Sequence, residues 1–287
     1  MRYYRTEPPD SRLVVRVDGR HHDLTAAGPD IDSFTDLAAA AGIADRPLSE
    51  LTEGLLDRAP EVDPAMVESG IGRPLVPEEV WAAGVTYEIS EKAREEESGK
   101  PEVYLDVYDA ERPEVFFKAT PSRTVGPEEA VGVRADSDWN VPEPELGIVL
   151  HHGDVVGYTI GNDVSSRTIE GENPLYLPQA KVYDRSCAIG PCIVAADRID
   201  PLDRVISMRI ERDGRTMFDE EASTADLVRT PEELVEYCTR HDAIPRSMVL
   251  LTGTSLVPDS EFTLRPGDSV QITIDGIGTL ENDVIEV

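Results

Sequence analysis

A run of strand-like segments separated by turns is the feature that most limits what this chain can fold into. From Trp81 onward, β-branched and aromatic residues concentrate in EVFFKA, ELGIVL, VVGYTIGNDV, CAIGPCIVA, RVISMRIERDGRTMF and SVQITIDGIG. This enrichment between turn signals is typical of β-strands. Helical patterns are fewer, and the clearest is TPEELVEYCTRHDAI, which Thr230 can cap. The sequence therefore predicts an α+β protein that is mainly β.

The N-terminal part has a different pattern. RLVVRVDGRHHDLT has apolar residues on both sides of Asp18-Gly19, which predicts a hairpin. DSFTDLAAAAG predicts a short helix with Asp32 or Ser33 as its N-cap and Gly42 as its stop.

Residues 44–78 carry scattered prolines and glycines around short apolar groups, which is consistent with a junction between two units. We therefore expect a small N-terminal α/β domain over residues 1–74 and a larger domain over residues 75–287.

Two glutamates at the entrance to an apolar segment suggest a metal site. In WNVPEPELGIVL, Glu143 and Glu145 alternate with Pro142 and Pro144. Alternate strand residues share a face, and proline restricts such a segment to a sheet edge or a strand entrance. Carboxylates aimed at one point repel each other unless a cation lies between them. The alternative is two solvated glutamates in an acidic protein.

A third acid, Asp163, follows about one hairpin later. If the strands on either side of the turn HHGD pair, Asp163 approaches the two glutamates. Three carboxylates suit a hard divalent cation, Mg²⁺, Mn²⁺ or Ca²⁺, with positions left open for substrate oxygens. A calcium loop of the EF-hand type is excluded, because Val141 replaces its required glycine and Gly147 replaces its bidentate glutamate.

Two basic residues follow the acids, Arg167 and Lys181. A lysine near a metal can transfer a proton, and an arginine can bind a carboxylate. The alternative for each is a structural ion pair.

The overall charge excludes one class of partner. The chain has 57 acidic against 27 basic residues and a formal net charge of -30, a field that repels nucleic acid and anionic membranes. Diffuse acidity with few lysines suggests a halophilic cytoplasm, where salt screens the repulsion, and a mesophilic acidic protein is the alternative.

No stretch predicts a membrane span or signal peptide. The three cysteines fit neither disulfide pairing nor a Cys/His metal site. We therefore expect a cytoplasmic protein.

Several motifs in order resemble the fumarylacetoacetate hydrolase superfamily: ELGIVL, GYTIGNDVSSR, KVYDRSCAIGP, LTGT and LRPGDSVQITIDGIGTLEN. The likeness covers about residues 75–287 and implies a mixed β-roll core. It also implies a metal site formed by Glu143, Glu145 and Asp163, with Mg²⁺ as the expected ion and Mn²⁺ or Ca²⁺ as alternatives. The substrate-site residues that it implies are Lys181, Arg167, Thr252, Thr254 and Lys118.

One departure from the superfamily bears on the reaction. Its hydrolases carry a histidine and a glutamate that activate water, and this chain has Ser90 and Ala93 in those places. The segment looks instead like that of dehydratases acting on 2-keto-3-deoxy-pentonates, with Ser90 among the substrate-binding residues. The same likeness implies acid–base roles for Lys181 and Glu114, a 2-keto acid substrate and a homo-oligomer, a dimer or a tetramer. Hydrolysis or decarboxylation of a diketo acid, and a non-catalytic cation-binding protein, remain as alternatives.

Overall fold

The computed structural model describes residues 1–9, 11–87, 107 and 110–287. The charged segment SEKAREEES, which its composition predicts to be a solvent-facing helix, lies outside the described residues, as do most of the segment that follows it and the positions of Ser90 and Ala93.

Strands dominate the described part of the chain. They are β1 (Arg2–Thr6), β2 (Leu13–Val17), β3 (Arg20–Asp23), β4 (Glu61–Val62), β5 (Ile71–Gly72), β6 (Glu79–Gly84), β7 (Glu114–Ala119), β8 (Thr124–Val125), β9 (Val131–Val133), β10 (Asn140–Val141), β11 (Pro144–His151), β12 (Asp154–Asp163), β13 (Ser165–Ser166), β14 (Cys187–Ala195), β15 (Val205–Arg212), β16 (Arg215–Ser223), β17 (Met248–Leu251), β18 (Ser269–Ile274) and β19 (Gly278–Glu286).

The α-helices of the described ranges are short. They are α1 (Phe34–Ala44), α2 (Leu48–Leu55), α3 (Ala65–Glu68), α4 (Arg167–Glu172), α5 (Leu177–Lys181) and α6 (Pro231–Thr239). None of the helices in these ranges combines the length and the apolar character of a bilayer span.

The described residues form two large sheets. The larger has the strand order β4-β3-β2-β1-β14-β12-β11-β17-β6-β7, with β5 beside β1 and β8 beside β14, and the smaller has the order β16-β15-β18-β19-β9. A further short pair is formed by β10 and β13. Most neighbours are antiparallel, whereas β17 with β6, β14 with β8 and β19 with β9 are parallel. The predicted α+β class, mainly β with mixed sheets, is confirmed.

Side-chain alternation along β11 separates two hydrophobic cores. Leu146 and Ile148 face a cluster that the smaller sheet completes with residues such as Ile272. Val149 faces the opposite cluster, which contains Phe34 of α1. Successive strand residues point to opposite faces, so the central strands of the large sheet are covered on both sides.

The local predictions are largely confirmed. Asp18 and Gly19 both have positive φ, 49° and 83°, which is the geometry of a two-residue hairpin turn. Ser33 caps α1 by accepting a hydrogen bond from the Asp36 amide. The predicted stop at Gly42 is wrong, because α1 continues to Ala44 and ends at a left-handed Asp45.

The N-terminal strands join the large sheet directly. Arg2 and Tyr3 of β1 pair with Val194 and Ile193 of β14, and β1 also pairs with β2 and β5. The division at residue 74 remains a prediction, and the two parts share one sheet across it.

Candidate active site

Three buried carboxylates meet where β11 begins and β12 ends. Glu143 and Glu145 flank Pro144, the first residue of β11, and Asp163 is the last residue of β12. The antiparallel register pairs Pro144 with Asn162, and the Asp163 amide donates to the Glu143 carbonyl at 2.9 Å. One oxygen of each carboxylate lies within 4.8 Å of the others. The hairpin therefore brings the three acids together, as the sequence predicts.

Two polar contacts hold the glutamates in place. The backbone amide of Glu143 donates to the side-chain oxygen of Asn162 at 3.2 Å. The next residue, Pro144, has no N–H to donate. The Gly253 amide, just after β17, donates to Glu145 Oε2 at 2.6 Å. The position of Glu145 thus depends on the neighbouring strand as well as on its own.

Lys181 lies between two of the acids. It is the last residue of α5 and is buried. Its Nζ lies 2.8 Å from Glu143 Oε2 and 3.2 Å from Asp163 Oδ2. The ammonium group therefore offsets part of the repulsion between the carboxylates.

Lys118 approaches Asp163 from a different direction. Its side chain is 0% exposed, and its Nζ lies 2.5 Å from Asp163 Oδ1. The same Nζ donates to the carbonyls of Val164 at 2.9 Å and Lys181 at 2.5 Å. An ammonium group has three protons to donate, so these contacts account for all of them.

Arg167 bridges two glutamates from the start of α4. Its Nη2 lies 3.2 Å from Glu143 Oε1, and its Nη1 donates to Glu170 Oε2 at 3.3 Å. Both glutamates are buried. The guanidinium therefore separates the carboxylate of Glu170 from that of Glu143.

Burial and charge shift the pKa values of these groups in different directions. Burial raises the pKa of Glu145 well above its ordinary value, and the charges of Asp163 and Glu143 raise it further. Burial also raises the pKa of Glu143, although Lys181 opposes the shift. Burial acts to raise the pKa of Asp163, yet Lys118 and Lys181 together outweigh it and the pKa is lowered. The pKa of Lys181 is raised well above its usual value, because Asp163 and Glu143 outweigh the effect of burial.

A divalent cation fits this set of donors. All three side chains offer carboxylate oxygens, the ligand type that Mg²⁺ and Ca²⁺ prefer. Glu143 Oε1 is buried and has no well-oriented hydrogen bond within the described residues, although Arg167 is close. Burial raises the pKa values of Glu143 and Glu145, and the charge of Asp163 adds to the shift in both. A cation would relieve this repulsion.

A small cavity of about 60 Å³ opens beside Glu143 and Lys181. In the described part of the chain it is lined by Ala83, Gly84, Val85, Glu114, Phe116, Glu143, Arg167, Glu170, Leu177, Lys181, Gly253, Thr254 and Val257.

Glu114 reaches this cavity over a glycine of the neighbouring strand. Gly84 of β6 pairs with Glu114 of β7, and a Cβ on Gly84 would fall 2.0 Å from Glu114 Oε2. The missing side chain therefore makes room for the carboxylate at the cavity wall.

The structure separates the predicted substrate-site residues into two groups. Lys181, Glu114, Arg167 and Thr254 line the cavity. Lys118 and Thr252 are fully buried and lie outside the described lining. Ser90 lies outside the described residues. The substrate-binding roles of all of these residues remain predictions.

Among the cavity-lining residues that the sequence reasoning missed are Glu170, Phe116 and Gly253. Glu170 stands three residues after Arg167, a spacing that brings helical side chains together. Phe116 shares a strand face with Glu114, since alternate residues of β7 point the same way. Gly253 lies within the LTGT motif, but its contact with Glu145 could not be predicted because it depends on the pairing of β17 with β11.

Residues 79–285 match the family described as Fumarylacetoacetate (FAA) hydrolase C-terminal. The chain belongs to the fumarylacetoacetate hydrolase family. A probable 2-keto-3-deoxyxylonate dehydratase of Haloferax volcanii is 58% identical to it, over 97% of this chain and 96% of that protein. The 2-dehydro-3-deoxy-D-arabinonate dehydratase of Saccharolobus solfataricus is 48% identical, over 73% of this chain and 72% of that one.

Solved structures of the fumarylacetoacetate hydrolase fold are also similar. A 2-keto-3-deoxy-D-arabinonate dehydratase complexed with magnesium and 2,5-dioxopentanoate has a TM-score of 0.82 and 35% identity, covering 100% of this chain and 99% of that one. A fumarylacetoacetate hydrolase from Exiguobacterium antarcticum has a TM-score of 0.75 and 26% identity, with 100% of both chains covered.

Proposed function

We propose that this protein is a Mg²⁺-dependent hydro-lyase that converts a 2-keto-3-deoxy-pentonate, derived from arabinonate or xylonate, to 2,5-dioxopentanoate. The observation that carries the proposal is the buried cluster of Glu143, Glu145 and Asp163 beside a cavity that also presents Lys181 and Glu114. The names of the similar dehydratases, one of them with magnesium and 2,5-dioxopentanoate bound, support the choice of reaction and ion.

The carboxylate cluster would hold the metal ion. When bound, Mg²⁺ polarises the carboxylate and 2-keto oxygens of a chelating 2-keto acid and thereby makes the C3 protons more acidic. Mn²⁺ and Ca²⁺ are alternatives with the same preference for oxygen ligands.

Lys181 and Glu114 are the candidates for proton transfer. Both line the cavity, and Lys181 remains an ammonium group while Glu143 and Asp163 lie within 3.2 Å of its Nζ. In this form it can donate a proton or a hydrogen bond to the oxygen on which negative charge develops. Glu114 also lies at the cavity wall, and a carboxylate in this position can accept a proton from carbon.

The reaction needs no activated water. A base removes a proton from C3, the C4–O bond breaks, and the departing hydroxyl leaves as water after accepting a proton. The C3–C4 double bond then moves to C4–C5 by transfer of a proton from C5 to C3, and the enol at C5 becomes the aldehyde. Ser90 and Ala93, which by the resemblance stand where the hydrolases carry their water-activating pair, are consistent with this chemistry.

A coupled assay tests the proposal. Purified protein with Mg²⁺ and 2-keto-3-deoxy-xylonate, or its arabinonate equivalent, should yield an aldehyde that an NAD(P)-dependent aldehyde dehydrogenase oxidises. Lys181→Ala should lower kcat by about 10² or more if the lysine takes part in proton transfer. Brisk cleavage of an acylpyruvate to pyruvate and a free acid, with no aldehyde from the pentonate, would instead support the hydrolase alternative.

The proposal also covers the environment in which the enzyme works and its oligomeric state. The net charge of -30 supports a halophilic, cytoplasmic protein that binds neither nucleic acid nor membranes. A homo-oligomer, a dimer or a tetramer, is supported by exposed apolar residues such as Leu175 at 83% and Tyr176 at 40% exposure, which directly precede the cavity residue Leu177 in the chain. Sedimentation in high salt measures the oligomeric state.

A further inference from the structure

Glu170 is a carboxylate of the cavity wall that belongs neither to the metal cluster nor to the proposed proton transfers. Glu170 lines the cavity and is only 8% exposed. Among the described residues its hydrogen-bond partner is Arg167, whose Nη1 lies 3.3 Å from Glu170 Oε2. A carboxylate has about four acceptor positions, so Glu170 retains capacity for a ligand.

Arg167 separates Glu170 from the metal-binding acids. The guanidinium contacts Glu143 on one side and Glu170 on the other. Glu170 and Glu114 both line the cavity, so its wall carries two acidic side chains in addition to the metal cluster. Ionised carboxylates accept hydrogen bonds and donate none. If the 2-keto acid end of a ligand binds at the carboxylate cluster, the rest of the molecule meets acceptors of negative charge in this wall.

We infer that Glu170 is a specificity residue, which selects 2-keto acids with hydroxyl groups at the far end and rejects those with a second carboxylate there. This inference rests on the proposed function only for the orientation of the ligand, with its 2-keto acid end at the carboxylate cluster. Hydroxyl groups donate to Glu170. A terminal carboxylate is repelled by Glu170 and finds the Arg167 guanidinium already bound by Glu143 and Glu170.

Removal of the Glu170 charge therefore has two effects on a dicarboxylate. Glu170→Gln removes one negative charge near the terminal carboxylate, and it weakens the hold on Arg167 Nη1. Both effects favour a dicarboxylate over a monocarboxylate of the same length. The carboxylate next to the keto group is common to both ligands, so the ratio of their affinities isolates the far end.

The experiment compares 2-oxopentanoate with 2-oxoglutarate, which have the same chain length and differ in the terminal carboxylate. Their Kd values are measured by calorimetry with Mg²⁺ present and at constant salt. The native protein should bind 2-oxopentanoate more tightly. Glu170→Gln should shift the ratio of Kd values toward 2-oxoglutarate by about tenfold or more, as expected when a charge is removed a few ångströms from another near a protein surface.

Two variants act as controls. Glu172→Gln makes the same charge change on an exposed residue of α4 and should leave the ratio unchanged. Glu170→Asp retains the charge and should stay closer to the native ratio than Glu170→Gln, which distinguishes the charge from a structural role of the side chain. Melting temperatures establish that each variant is folded.

Three results would overturn the inference: native protein that binds 2-oxoglutarate at least as tightly as 2-oxopentanoate, equal shifts for Glu170→Gln and Glu172→Gln, or binding of neither ligand. Failure of the proposed function is a separate result. If the pentonates are not dehydrated but the ratio shifts as expected, the proposed reaction is wrong and the role of Glu170 stands.

Discussion

Lys118 shows at the level of single residues how the cluster of acids can be buried. Its ammonium group contacts Asp163 and two backbone carbonyls, with no exposure to solvent. The pKa of Asp163 is lowered by Lys118 and Lys181 despite complete burial. Lys118 therefore supports the ionised form of this acid from behind the cavity.

Replacement of this lysine should be costly. Lys118→Met leaves Asp163 Oδ1 without its closest cation, and removal of one partner from a buried ion pair costs about 3 to 5 kcal/mol of unfolding free energy. Denaturant titration measures the loss. Arg46→Met, which removes an exposed pair with Glu50, is the control and should cost about 1 kcal/mol or less. A loss for Lys118→Met as small as that of the control would contradict the supporting role.

Among the three acids, Glu145 is the one whose ionised form its surroundings disfavour most. Glu145→Gln should abolish activity and weaken Mg²⁺ binding, while the metal-free protein keeps or gains stability, because burial and the charges of Asp163 and Glu143 disfavour the ionised side chain. The measurement is the rise in Tm on addition of Mg²⁺, which reports binding to the folded state. Asp154→Asn, at the exposed start of β12, should keep the native rise. An unchanged rise for Glu145→Gln would remove Glu145 from the metal site.

The sequence predicts the meeting of the three acids because one hairpin joins them. Glu143, Glu145 and Asp163 lie at the two open ends of β11 and β12, so local pairing alone brings them together. The placement of Lys118 could not be predicted in this way. It depends on where β7 lies in the sheet, and β7 reaches the site through β6 and β17.

Among the elements, α6 follows its sequence signals closely. Thr230 accepts a hydrogen bond from the Glu233 amide, and Pro231 is the first helical residue. These contacts arise within one turn, which is why they can be predicted. The end of α1 was predicted wrongly at Gly42, because glycine is tolerated inside a helix when the next residues continue the packing. The left-handed conformation falls instead on Asp45.

The cap of α6 should contribute to stability without affecting catalysis. Thr230→Ala removes the acceptor for the Glu233 amide and should lower the unfolding free energy by about 1 kcal/mol. Thr230→Ser keeps the acceptor and serves as the matched control. Unfolding titrations measure the difference, and kcat should be the same in all three proteins. Equal stability of the alanine and serine variants would show that the cap contributes nothing.

In the whole molecule, the sheet joins segments that are distant in sequence. β1 pairs with β14, and Arg246 and Arg198 form ion pairs with Asp36 and Glu53 of the N-terminal part. Contacts over such separations have no local sequence signal. For this reason the mainly β class could be predicted from the sequence, whereas the single sheet shared by the N-terminal strands and the rest of the chain could not.

The charge of the whole molecule makes stability depend on salt. The net charge is -30, and the acidic side chains repel one another most strongly when salt does not screen them. We expect Tm to rise markedly between about 0.1 M and 2 M KCl, over which the Debye length falls from roughly 10 Å to 3 Å or less. Differential scanning calorimetry measures the trend. A constant Tm over this range would count against a halophilic origin.

The central claim is that a metal site and a proton-transferring pair remove water from a five-carbon 2-keto acid without breaking a carbon–carbon bond. The most direct test is carbon-13 NMR of the product formed from uniformly labelled 2-keto-3-deoxy-pentonate with Mg²⁺. We predict a single product that retains all five carbons, with a 2-keto acid at one end and an aldehyde or its hydrate at the other. Labelled fragments from carbon–carbon cleavage, or unchanged substrate under conditions in which Mg²⁺ raises Tm, would contradict the proposed reaction.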